Sequence, residues 1–167
     1  QTPKVLVSLK GIAELKRGLN GSVFPSGTTL SELTANPSTP TALRQAAHQV
    51  ATPLLRNMAT LGGNLCLDTR CTYYNQNYEW REAIGFCLKK DGDICWVATA
   101  SKRSLAVSST DRAPALIALN ASVVLENASG TREIPVETLY KNDGIDYLSR
   151  KPDEILTAVK IPPGWKS

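Results

Sequence analysis

Apolar and polar residues along this chain form short stretches of two kinds, and none is sustained for long. Glu154-Ile155-Leu156-Thr157-Ala158-Val159-Lys160-Ile161 alternates apolar and polar before Pro162-Pro163. A period of two marks a strand, because successive side chains leave it on opposite faces. Ser122-Val123-Val124-Leu125-Glu126 and Thr131-Arg132-Glu133-Ile134-Pro135-Val136 predict a β-hairpin closed across Asn127-Ala128-Ser129-Gly130. Lys4-Val5-Leu6-Val7-Ser8-Leu9 is a further β-like run, and the turn signals Asn20-Gly21 and Pro25-Ser26-Gly27 bracket the apolar pair Val23-Phe24.

Helical signals are equally short. Thr29 with Glu32 three residues later forms a capping box and predicts a helix from about Leu30 to Ala35. Asn36-Pro37-Ser38-Thr39-Pro40 breaks it. Thr39 then caps a second helix with Pro40 at its first position, running to about Val50, and Pro53 ends the segment. Tyr78 to Leu88 predicts a third helix, followed by a hairpin-type turn at Lys90-Asp91-Gly92-Asp93 that joins Cys87 to Cys95. Ser109-Thr110-Asp111-Arg112-Ala113-Pro114 caps a helical stretch over Ala115–Leu119, which Asn120 ends, and Val136 to Tyr140 is one helical turn. The sum is an α+β fold, a small antiparallel sheet with short helices.

Composition narrows the class. At 167 residues the chain is one domain, long enough to bury a core without staples. Its formal charge of +4 is carried without a dense Lys/Arg tract, so a nucleic-acid partner is not expected. Lys89, Lys90, Lys102 and Arg103 read as a solvated basic face that could also attract an acidic partner. No apolar run approaches the roughly 20 residues that span a bilayer. Pro3 and Lys4 lead into the first β-like run, not into a signal peptide, so the expected compartment is the cytoplasm.

All four cysteines, Cys66, Cys71, Cys87 and Cys95, fall in one aromatic-rich insertion at about 65–104. Their spacing, C-x4-C-x15-C-x7-C, lacks the close pair of a zinc site and the ferredoxin pattern. Metal or cluster ligation, disulfides and inert thiols all remain open. Gly62-Gly63 lies between apolar residues, where a backbone must approach something closely. It is either a turn or bulge, or a backbone cradle for a phosphate or cofactor ring, with Thr60 and Asn64 nearby. Neither GxGxxG nor a phosphate loop ending in Gly-Lys-Ser/Thr is present. Asp111 is a helix cap or a polar contact to a cofactor. His48, the single histidine, reads as a surface or core residue, and one histidine builds neither a Ser-His-Asp set nor a His/carboxylate metal cluster.

Ala59-Thr60-Leu61-Gly62-Gly63-Asn64, Ser109 through Leu116 and Glu154-Ile155-Leu156 together resemble the FAD-binding medium subunit of molybdenum hydroxylases, the group of xanthine dehydrogenase and carbon monoxide dehydrogenase. With Asn64-Leu65-Cys66-Leu67-Asp68-Thr69-Arg70-Cys71-Thr72-Tyr73-Tyr74-Asn75-Gln76, the chain is most similar to the β subunits of 4-hydroxybenzoyl-CoA reductases, which carry an extra [4Fe–4S] cluster in such a loop. The resemblance runs from Pro3 to Pro163. It implies the second subdomain of the FAD-binding domain, without the family's N-terminal glycine-rich subdomain and its C-terminal lobe. It implies FAD contacts at Thr60, Gly62, Gly63 and Asn64, at Asp111, and at the backbone of Leu156. Cys71, Cys87 and Cys95 match the family's cluster ligands, but the fourth position is Ser104. Either Cys66 completes the set, or Ser104 ligates through oxygen, or three thiolates hold a labile cluster, or no cluster is held. The implied role is electron relay among a cluster, FAD, [2Fe–2S] centres on a small partner subunit and molybdopterin on a large one, with no catalytic side chain on this chain and with an acidic donor such as a ferredoxin drawn to its basic residues. The implied reaction is the reductive dehydroxylation of 4-hydroxybenzoyl-CoA or a related aromatic substrate. The competing reading is a non-catalytic scaffold with a zinc or empty cysteine site.

Overall fold

The computed structural model describes residues 3–16 and 20–165. A four-stranded antiparallel sheet runs in the order β1-β4-β2-β3, where β1 is Val23–Pro25, β2 Ser122–Asn127, β3 Gly130–Pro135 and β4 Ile155–Lys160. The α+β expectation is met. The predicted hairpin forms with Asn127 opposite Gly130, leaving Ala128 and Ser129 as its two-residue turn. Val123 and Leu125 of β2 are fully buried.

β4 departs from strict alternation, and the departure serves the site. Val124 pairs with Ala158 and Leu125 with Leu156, so Thr157 is an extra residue at a bulge. The bulge lets Leu156 and Val159 both face the core, although they are three positions apart. The Thr157 carbonyl accepts the Ser26 N–H at 2.9 Å, which fixes the loop after β1.

The capping box forms as predicted and starts α1, Leu30–Ala35: Thr29 accepts from the Glu32 N–H, and Glu32 accepts from the Thr29 N–H. α2 covers Thr41–His48, one residue later than expected, with Pro40 at its cap; the Thr39 side chain makes no capping bond. Pro53 starts a helix where the sequence suggested an end: Thr52 caps α3, Pro53–Arg56, because a proline at the first helical position lacks only an N–H that would be unpaired anyway. α4 spans Leu61–Leu65 and α6 Ala113–Ala118. A 3₁₀ turn at Val136–Leu139 supplies the expected single turn after β3. Phe24, Leu30, Leu43, Leu61, Leu116 and Leu139 meet in one fully buried core between the sheet and these helices. Among the described residues no helix is long and apolar enough to cross a membrane.

The β-like run Lys4–Leu9 is not a strand. No described strand lies alongside it, and Val5, Leu6 and Val7 are exposed, so its apolar residues have neither a pairing edge nor a core to enter.

Candidate functional site

α4 is stitched along the loop after β1. Gly62 N–H donates to the Ser26 carbonyl, Leu61 N–H to the Thr28 carbonyl, and Leu30 N–H returns to the Ala59 carbonyl, all within 3.0 Å. Thr60 caps the helix by accepting from the Gly63 N–H. Leu61 and Leu65, four residues apart, anchor it in the core. The glycine pair therefore sits inside a short helix, with the close approach that the sequence required. A Cβ at Gly62 would stand 2.6 Å from the Ser26 Cβ, and one at Gly63 2.9 Å from the Thr60 Oγ1.

This junction walls a cavity of about 360 Å³ lined by Thr60, Gly62, Gly63 and Leu156. Ser26, Gly27, Cys66 and Arg150 line it too, and the sequence had singled out none of these four as FAD contacts. The signal available for Ser26 and Gly27 was their turn between a strand and a capping box. Gly27 lies where a Cβ would meet the Leu15 carbonyl oxygen at 2.6 Å. The cavity's ionised groups are Lys10, Lys16, Arg150 and Glu154. Glu154 is neutralised by Arg132, which donates from Nε and Nη2 at 2.7 and 2.8 Å. The field left over is positive.

Arg132 and the Lys151 N–H hold the Glu154 carboxyl well below its ordinary 4.5, at about 2. A depressed carboxyl contributes stability that is complete above its unfolded value and is lost as pH falls through its folded value. The melting temperature of wild type should therefore exceed that of Glu154→Gln by a constant margin from pH 5 to 8. The margin should shrink steadily between about pH 4.5 and 2. A margin that persists unchanged to pH 2 would contradict the assignment.

Asn64 and Asp111 lie next to this wall, outside the cavity lining. Asn64 is buried; its Nδ2 donates to Asp111 Oδ2 at 3.3 Å, and its Oδ1 accepts from Thr110 Oγ1 at 2.9 Å. Asp111 caps nothing: Arg112 is the cap residue of α6 and makes no side-chain capping bond. Burial pushes the Cys66 thiol up, against the opposing pull of Arg150, so it stays protonated beside the cavity. Tyr140 donates to the Leu65 carbonyl, and burial raises its phenol far above the ordinary range.

The cysteine-bearing insertion closes where Arg70 and Val107 exchange backbone hydrogen bonds at 2.8 and 2.9 Å. Within it α5 runs only from Tyr78 to Ala83, shorter than predicted. Gly85 and Phe86 both take positive φ, 74° and 61°, and end the helix. The tight turn that follows is Cys87–Lys90, with Lys90 N–H donating to the Cys87 carbonyl; it precedes the expected Lys90–Asp93 position. Lys89 corrects the expectation of a solvated basic face. Its side chain is 7% exposed, and Nζ donates to Asp68, Thr69 and the Gly144 carbonyl between the rings of Tyr74 and Tyr147. Lys90, Lys102 and Arg103 are exposed, and so is His48 at the last turn of α2.

The four thiols occupy different surroundings. Cys66 lines the cavity, Cys71 lies in a surface groove, and Cys87 and Cys95 are buried. Burial raises the Cys95 thiol, but the N–H groups of Leu105, Ala98 and Val97 outweigh it and set the thiol below its ordinary value. Ser104 is buried with its Oγ accepting from the Ala106 N–H at 3.4 Å. Among the described residues, no three His, Cys, Asp or Glu side chains converge on a point that could hold a metal ion.

Over residues 1–164 the sequence matches the family described as the FAD binding domain in molybdopterin dehydrogenase. The fold is similar to that of a carbon monoxide dehydrogenase chain from Hydrogenophaga pseudoflava (TM-score 0.59, 19% identity), covering 92% of this chain and 42% of that one. A cyanide-inactivated Cu,Mo-CO dehydrogenase gives a TM-score of 0.59 at 21% identity, again over 92% and 42%. Quinoline 2-oxidoreductase from Pseudomonas putida 86 gives 0.58 at 16% identity over 93% and 43%. The chain thus spans less than half the length of these structures.

Proposed function

The chain belongs to the family of FAD-binding domains of molybdopterin dehydrogenases, and on that premise we propose that its cavity holds FAD as one half of an electron-relay site. Thr60, Gly62, Gly63, Asn64, Asp111 and Leu156 form the proposed contact set. The observation that carries the reading is the missing Cβ at Gly62, which lets α4 press against Ser26 and bares its first backbone turn to the cavity. The excess of cations over acids supports the same reading, because FAD carries an anionic diphosphate. FAD, when bound, supplies the electron chemistry. This chain's residues orient it, surround it with apolar wall at Leu156 and leave the cavity field positive. No side chain is assigned a bond-breaking step.

The finer proposal is a module that passes electrons to a [2Fe–2S] small subunit and a molybdopterin-bearing large subunit in a 4-hydroxybenzoyl-CoA reductase-like enzyme. Its support is the cysteine-bearing insertion joined to the Gly62-Gly63-Asn64 helix. A [4Fe–4S] cluster does not fit the thiols as they stand, since no three of them converge and the fourth position is Ser104. The same mismatch is the specific observation behind the scaffold alternative.

An anaerobic absorption spectrum of the purified protein, beside iron, zinc and acid-labile sulfide analysis, separates these readings. Flavin bands that persist through gel filtration, before or after FAD is added, are expected. About four irons with sulfide per chain would restore the cluster. A protein that stays colourless with FAD present, or holds zinc alone, would leave the scaffold reading in place of the relay.

A further inference from the structure

Arg112 is fully buried, and its Nε, Nη1 and Nη2 have no hydrogen-bond partner. A buried guanidinium is normally paired, because leaving an ion unpaired away from water costs several kcal/mol. Its nearest opposite charge is Asp111, whose Oδ2 is 3.9 Å from Nη1, too far for a hydrogen bond. That same Oδ2 accepts from Asn64 Nδ2, and Asn64 accepts from Thr110. The cation thus stands behind the carboxylate that braces the Gly62-Gly63-Asn64 helix, on the side away from solvent, while the Asp111 side chain is half exposed. Burial lowers the guanidinium to about 10, with Asp111 opposing the change, so it is still charged at neutral pH.

We propose that Arg112 is a positioning residue of the FAD site: its charge, left without a hydrogen-bond partner, holds Asp111 in place against Asn64. The inference rests on the FAD reading above. Its physical consequence is a trade between folding and binding. In the ligand-free chain the charge is a cost, since no hydrogen bond satisfies it. What it contributes to binding comes through Asp111 and Asn64, the contacts it holds in place. A purely structural arginine would behave differently, because its loss would lower stability and affinity together.

The test compares wild type, Arg112→Met and Arg112→Lys, measuring FAD dissociation constants by flavin fluorescence and melting temperatures without ligand. Arg112→Met is expected to melt at or above wild type without FAD and to bind FAD at least about tenfold more weakly, equivalent to about 1.4 kcal/mol. Arg112→Lys, which keeps the charge, is expected to recover most of the affinity. Met and wild type binding FAD equally would overturn the role. So would a ligand-free Arg112→Met protein that melts well below wild type or fails to fold, and so would an Arg112→Lys protein that folds but has lost the affinity. Wild type binding no FAD would overturn the site reading itself and this role with it, an outcome told apart by its appearance before any substitution is made.

Discussion

Gly62→Ala is expected to weaken FAD binding by about ten- to a hundredfold and to destabilise the fold by about 1–3 kcal/mol, the usual range for overpacking a close contact. The new methyl would stand 2.6 Å from the Ser26 Cβ, 3.2 Å from its carbonyl oxygen and 3.3 Å from its Cα. None of these is the free end of a long side chain, so relief requires the backbone of α4 or of the Ser26 loop to move. Both segments line the cavity, and the Gly62 N–H bond to Ser26 O ties them together. A shift of either one alters the shape of the wall. Gly63→Ala should be milder, since its methyl meets only the Thr60 hydroxyl, which costs part of one helix cap. Gly11→Ala, whose methyl meets nothing within 4 Å, is the control and should leave affinity unchanged. Equal affinity in the Gly62 and Gly11 variants would remove the cavity wall from the account.

Lys89→Met is expected to cost about 2–3 kcal/mol, the scale of hydrogen bonds to a charged group, and to loosen the whole insertion. The ammonium group joins three parts of the chain: Asp68 and Thr69 at the entry to the insertion, the turn after Cys87, and Gly144 in the sheet-side loop. A methionine of similar length keeps the contact with the Tyr74 and Tyr147 rings but supplies no donor. The partners left behind include the Gly144 carbonyl, which keeps only the Thr69 hydroxyl. Limited proteolysis between residues 70 and 107 should be faster in the variant, together with a lower melting temperature. Arg81 holds the inner part of the insertion by donating to Lys90 O and Asp91 across the Tyr74 and Phe86 rings, so cleavage should begin near the Arg70–Val107 closure. An insertion as resistant in Lys89→Met as in wild type would show that something other than this cation secures it.

What the sequence made legible is local. The capping box at Thr29 and Glu32, the hairpin of β2 and β3 and the last strand each declare themselves through short-range chemistry, and each is present. Gly62 was visible as a demand for close approach, but its neighbour Ser26 lies 36 positions away and only folding names it. The bulge at Thr157 is invisible for a similar reason: it arises from the register between β2 and β4, not from either sequence alone. Lys4–Leu9 shows the converse error, a run with strand composition and no edge to join. Lys89 reads in the sequence as part of a solvated basic face, and nothing there sets Arg112 apart, because side-chain burial of a cation depends on what surrounds it. Pro53 was read as a stop because a proline either ends or begins a helix, and Thr52 before it decides which.

Equilibrium titration of the wild-type protein with FAD, followed by quenching of flavin fluorescence, shows whether the cavity walled by α4 and the Ser26 loop binds FAD. Saturable binding of one FAD per chain is expected, weakened in Gly62→Ala. Fluorescence that rises in proportion to added FAD, with no saturable component in the presence of folded protein, would contradict it.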